Sequence, residues 1–268
     1  MMNMVFFRGT SFLFALLLLS ACSHETPLHS MHQEQAIEFN QRAQRAFLRG
    51  EYQVAAGLYE NALQLDSAIE NVDGIAVNLL NLAKVSQALG KPALAHLYLD
   101  RLLQDKALKY SHSHLAAAAV QYGLLRLQAG DVAAAESWAD KSAEYCTSEC
   151  KLSGVIANLR ANIAIQSNDA EQALYWGGRA VSASKGESQI EYANALRLLA
   201  QARLFSKEFE AALLLLEDAI AIDKTLGLPD KIRLDLSLMA QAQDRLGRTE
   251  LAAQYRERAA RIAAALAK

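Results

Sequence analysis

Gly50-Glu51-Tyr52-Gln53-Val54-Ala55, followed by Leu58-Tyr59-Glu60-Asn61-Ala62-Leu63, is the stretch on which the fold turns, because its pattern returns five times. The relatives are Gly90-Lys91-Pro92-Ala93-Leu94-Ala95, Gly130-Asp131-Val132-Ala133-Ala134-Ala135 and Asn168-Asp169-Ala170-Glu171-Gln172-Ala173. Lys207-Glu208-Phe209-Glu210-Ala211-Ala212 and Gly247-Arg248-Thr249-Glu250-Leu251-Ala252 complete the set. The closing alanines stand at 55, 95, 135, 173, 212 and 252, a period of 38 to 40 residues. Seven positions after each comes Ala62, Leu102, Ser142, Ala180, Ala219 or Ala259, small in all but one case. Twelve positions before each comes Ala43, Ala83, Gly123, Ala161, Ala200 or Ala240. Small residues in fixed register let antiparallel helices approach where a large side chain would clash. The Gly, Asn or Lys at each turn ends one helix in a left-handed or turn conformation before the next begins.

This register resembles the tetratricopeptide repeat, in which one small residue lies within the first helix of a pair and two on the second. The resemblance covers residues 36–268 and implies an all-α, right-handed superhelical solenoid of about six antiparallel helix pairs. Two departures stand out. The period is near 40 rather than 34, for which longer first helices would account, and the prolines that often close such repeats are absent. Leu251–Lys268 reads as a charged amphipathic capping helix.

Composition agrees. Of 268 residues, 52% are hydrophobic, and only 3 prolines and 13 glycines interrupt them. Such a balance favours helix. The net charge is −2 with both signs mixed along the chain. Without a basic stripe for phosphates to engage, nucleic acid is excluded as a partner.

The N-terminus has a separate character. Arg8 precedes the apolar run Phe12-Leu13-Phe14-Ala15-Leu16-Leu17-Leu18-Leu19, which is too short to cross a bilayer core of roughly 20 residues. Leu19-Ser20-Ala21-Cys22 resembles a bacterial lipobox. That resemblance implies a signal peptide over 1–21, cleavage, and acylation of Cys22. The acyl chains would supply the bilayer contact. Ser23, rather than Asp, follows the cysteine. This implies the outer membrane with the folded part facing the periplasm, although inner-membrane anchoring stays open. Residues 22–35 read as an acylated cysteine and flexible tether. His24, His29 and His32 within it read as solvated rather than metal-binding.

Cys146 and Cys150 lie between the third and fourth repeats. A four-residue spacing brings their α-carbons within disulfide reach, and the expected oxidising compartment favours a structural bond. Redox-pair and metal-site readings lack a Cys-x-x-Cys or further ligands. Ser111-His112-Ser113-His114 reads as a capping or solvated segment. No phosphate loop, nucleophile elbow or zincin motif occurs, so no catalytic residue, cofactor or metal is expected.

A solenoid without chemistry offers a surface. Carried over by register, the resemblance places Asn40, Gln44, Leu80, Lys84, Val120, Leu124, Leu127, Asn158, Asn162, Asn194, Arg197, Gln201, Ser237 and Gln241 on a concave groove. Its amides suit an extended peptide backbone and its middle an aliphatic anchor. The cationic set of the family's chaperone-tail binders is missing. The expected role is an adaptor that binds a protein or peptide partner in envelope assembly: pilus or secretin assembly, barrel-protein insertion, or control of cell-wall enzymes. An enzyme or ligand-binding subunit with a pocket between repeats is the rival reading. A self-assembling homo-oligomer is the third.

Overall fold

The turns decide the local structure. Gly50, Gly90, Gly130, Asn168, Lys207 and Gly247 all have positive φ, between 57° and 79°. These are the six turn positions singled out in the repeat. After each, the next amide reaches back to a carbonyl five residues earlier, as Glu51 does to Ala46 at 2.9 Å and Glu208 to Arg203 at 2.9 Å. That bond satisfies a carbonyl the ending helix leaves open.

A computed structural model describes residues 30–147 and 150–266. It contains twelve α-helices in six pairs and no strand among the described residues. The first pair is α1 (Met31–Leu48) and α2 (Tyr52–Ala68), the second α3 (Val72–Ala88) and α4 (Pro92–Gln104). The third is α5 (His112–Gln128) and α6 (Val132–Tyr145), the fourth α7 (Ser153–Gln166) and α8 (Ala170–Ser184). The last two are α9 (Gln189–Phe205) with α10 (Phe209–Leu226), and α11 (Pro229–Arg245) with α12 (Thr249–Leu266).

Two expectations are corrected. The solenoid begins at Met31 rather than 36, because Ser30 caps α1 by accepting from the Gln33 amide at 3.2 Å. The extra length of the repeat is not confined to the first helices, since α10 and α12 each run 18 residues. The signal segment, Cys22 and the remainder of the tether lie outside the described residues. No described helix is long and apolar enough to cross a membrane.

Each helix packs against the next, and backbone packing among the described helices reaches no further than the next but one. The first helices of successive pairs approach each other, whereas the second helices do not. Odd-numbered helices therefore lie at the smaller radius and line the concave side. Even-numbered helices splay around the outside, bridged by occasional long side chains such as Tyr98 to Glu60. The register alanines sit in the crossings: Ala43, Ala55, Ala95, Ala135, Ala173, Ala200, Ala212 and Ala252 are fully buried. Between them run Leu79, Leu82, Leu99 and Leu102, then Leu159, and further on Leu216 and Leu236. Each such leucine contributes about 1.5–3 kcal/mol of burial.

The chain varies the joint from one pair to the next. Eleven positions after the closing alanine stand Asp66, Lys106, Cys146, Ser184 and Asp223. Asp66 is buried and accepts from Asn71 and Asn78 of the next pair, both at 2.7 Å. Gly74 must be glycine there, since a Cβ would stand 2.3 Å from the Asp66 carboxyl carbon. Lys106 instead lies exposed in the connector between α4 and α5. Cys146 follows α6 and is bonded to Cys150 across a Cα–Cα distance of 5.0 Å. The joint is non-helical at that point, and Cys146 packs with Leu152 and Val155 at the start of α7.

Candidate functional site

The groove is built from the inward stripe of α1, α3, α5, α7, α9 and α11, and the structure divides the expected residues into three groups. Gln44, Lys84 and Gln241 are exposed, while Asn162 and Gln201 are half-buried with no hydrogen bond among the described residues. These five keep polar atoms available to a ligand.

The second group is engaged with the protein itself. Asn40 turns back on its own helix, donating to the Ala36 carbonyl at 3.1 Å. Ser237 does the same to Arg233 at 2.9 Å. Asn158 is buried and donates to the Glu191 carbonyl at 3.2 Å and to its carboxylate at 3.0 Å, joining α7 to α9. Asn194 accepts from Arg197 at 3.0 Å.

Arg197 corrects the sequence reading most clearly. It is 3% exposed. Its Nε donates to Asp235 Oδ1 at 2.5 Å and its Nη2 to Asp223. One guanidinium thus ties α9 to the end of α10 and to the first half of α11. The third group is apolar: Leu80, Val120 and Leu127 are buried in the core, with Leu124 packed against it. The expected aliphatic anchor point in the middle of the groove is core packing instead. Exposed aliphatics do stand on the inward stripe at Ile37, Val77 and Leu234, one helical turn before Asn40, Leu80 and Ser237.

Two charged residues missed in the sequence complete the site. Protein surrounds the Lys84 ammonium although water reaches it, as happens inside a concave surface. This enclosure pushes its pKa down, opposed by the Glu191 carboxylate on α9. Lys231 at the start of α11 is likewise lowered, first by enclosure and then by Arg197, with Asp223 and Glu191 opposing. The Glu191 carboxylate thus favours the charged form of lysines on both α3 and α11. The signal was present: Glu191 and Lys231 lie one turn before Asn194 and Leu234 on the same stripe. Tyr52 is pushed up chiefly by burial, with the Asp230 carboxylate of α11 adding to it.

The buried triad carries its own pH dependence. Asp223 is raised to about 6, first by burial, with Arg197 opposing and the neighbouring Asp235 carboxylate adding. An unfolded Asp titrates near 3.9. The native state therefore holds this proton more tightly than the unfolded chain. The resulting stabilisation is complete below about pH 4 and is lost as pH rises through about 6. The urea midpoint of the native chain should fall between pH 5 and 7, and Asp223→Asn should flatten that fall. An equal slope in both proteins would remove Asp223 as its cause.

Outside the groove, Ser111 accepts from the His114 amide at 3.2 Å, so this segment caps α5.

No protein-family model and no curated protein matches the sequence. Similar solved structures exist. The crystal structure of BtubC from P. vanneervenii is 16% identical, with 89% of this chain and 93% of that one covered at a TM-score of 0.56. PilW, a widely conserved type IV pilus biogenesis factor, is 18% identical over 82% of this chain and 90% of its own, with a TM-score of 0.56. The Cut9–Hcn1 hetero-tetramer of the APC/C gives a TM-score of 0.58 at 15% identity, covering 85% of this chain and 44% of the neighbour. Paired helices, turns in register and these neighbours together make the fold a tetratricopeptide-like all-α solenoid.

Proposed function

We propose that the chain is an adaptor whose concave groove holds a protein partner, anchored through an acylated Cys22 to the outer membrane and facing the periplasm. One observation carries the reading. Lys84, Asn162 and Gln201 present uncommitted polar groups along one inward stripe, while Arg197, Asn158 and Asn194 hold that stripe rigid from behind. A pre-organised surface loses little entropy on binding. Exposed Ile37, Val77 and Leu234 beside it offer apolar contact to an extended or helical segment. The settings that fit are pilus or secretin assembly, barrel-protein insertion and control of cell-wall enzymes. PilW is a type IV pilus biogenesis factor, although likeness at 18% identity speaks for the fold alone.

The test is in-cell crosslinking of the full chain, followed by mass spectrometry of what it captures. The control combines Lys84→Ala, Asn162→Ala and Gln201→Ala and leaves the buried Arg197 intact. Capture of a specific partner should fall about tenfold with unchanged helical content. A partner captured equally by both proteins would place binding on another face.

A further inference from the structure

The outer side of the array carries chemistry that the groove lacks. Three positions after the closing alanine, the even-numbered helices place Tyr98, Trp138, Trp176 and Tyr255, all half-buried. A cation follows three residues later in each case: Arg101, Lys141, Arg179 and Arg258. Because the even-numbered helices splay apart, clefts open between them beside Trp138 and Trp176.

The cleft between α4 and α6 has the fuller aromatic lining, with Tyr122, Trp138 and Tyr145 against Trp176 alone in the other. It encloses about 380 Å³, within the size range of small-molecule sites. Tyr122 of α5 forms its floor, Trp138 and Tyr145 its aromatic walls, and Asp100, Gln104 and Glu144 its polar rim. The wall is fixed before any ligand arrives. Tyr122 stacks on Trp138 with centroids 4.2 Å apart and planes 20° from parallel. The Tyr122 hydroxyl donates to Asp100 Oδ1 at 3.1 Å, and His96 packs against the Tyr122 ring at 4.6 Å. Among the described residues, the Lys141 ammonium is the cation over Trp138, 4.2 Å from the ring centroid. Lys141 is exposed, and such a contact is weak enough for a guest to displace.

The lining selects among guests. An anion meets two rim carboxylates. An organic cation must compete with Lys141 for the same ring and is repelled by it. A wholly apolar guest would strip water from Asp100 and Glu144 without replacing its hydrogen bonds. A neutral ring bearing C–H groups on its face and hydroxyls around its edge satisfies every group. The indole takes the face, the carboxylates and Gln104 take the hydroxyls, and Lys141 swings to the rim as a donor.

We propose that the α4–α6 cleft is a carbohydrate subsite that takes a neutral sugar ring of an oligosaccharide on Trp138. It stands apart from the groove and does not depend on the adaptor reading.

The chain has two tryptophans, so Trp176→Phe leaves Trp138 as the single reporter. The full chain is purified in a polyoxyethylene detergent, whose headgroup carries no sugar, and titrated with chitotriose and with maltotriose. At least one should give a saturable change in Trp138 emission, with a dissociation constant on the order of millimolar. Glu144→Gln, on an exposed side chain, should weaken it about tenfold. No saturation with either sugar overturns the proposal, as does binding indifferent to Glu144→Gln. Tetramethylammonium chloride giving the same response at the same concentrations would also overturn it and make the cleft a cation cage.

Discussion

Replacing Arg197 with Met should lower stability by about 3–5 kcal/mol, although the residue lies on the stripe expected to bind a partner. The loss comes from what the guanidinium leaves behind. Asp223 and Asp235 are 1% and 0% exposed, and without Arg197 two carboxylates remain buried with no cation between them. Lys231 lies within electrostatic reach of both carboxylates but forms no ion pair with either among the described residues. Helix pairs in such an array touch only their neighbours, so the damage should concentrate in α9 to α12. Urea unfolding should show a lower midpoint and a shallower or split transition as the C-terminal pairs melt first. A further variant separates charge from shape: Arg197→Met with Asp223→Leu and Asp235→Leu should recover much of the loss, since no charge is then left unpaired. A loss below about 1 kcal/mol for the single change would show that water already solvates the triad.

Leu99→Ala should cost about 2–5 kcal/mol. Leu99 is fully buried in the cluster with Leu79, Leu82 and Leu102, which joins the first three helix pairs. Removing it takes away the transfer energy of three carbons and leaves a void that helices pinned at register alanines cannot close. The same position elsewhere is Tyr59, Ala139, Gly177, Leu216 and, in the last helix, Arg256. At Gly177 the neighbouring helix fills the space, since a Cβ there would lie 3.1 Å from Leu199 Cα. Cost should therefore follow local helix spacing rather than repeat register. Gly177→Leu would be resisted as strongly as Leu99→Ala is missed. Midpoints at constant m-value measure both, and a Leu99→Ala change under 1 kcal/mol would mean that this part of the core collapses on demand.

These residues show what was legible in the sequence. The turns and register alanines could be read because their requirements are local: positive φ at one residue, a missing side chain at a crossing. They repeat six times, so each supports the others. Register gives Arg197 an inward face but not its carboxylate partners, which lie 26 and 38 residues away and are announced by nothing beside it in sequence. A clue did exist, since Asp235 stands about one repeat later, where adjoining pairs meet. Leu80, Val120 and Leu127 were placed in the groove by register alone. Register fixes the face of a helix, but how deeply that face sinks depends on neighbours. Glu191 and Lys231 stand in the first turns of their helices, ahead of the repeat register that marks the stripe.

The joints between pairs also differ in mechanical character. A carboxylate clamped by two asparagines follows the first pair, and the Arg197 triad links the fifth to the sixth. The third pair hangs between connector 105–111, where Lys106 is exposed, and the joint after α6, where Cys146 is bonded to Cys150. Under a bending load such a rod flexes in its middle and keeps its ends stiff. Pulling with optical tweezers should find the compliance concentrated around α5 and α6. A partner that grips both ends would feel a spring whose stiffness is set by those two joints.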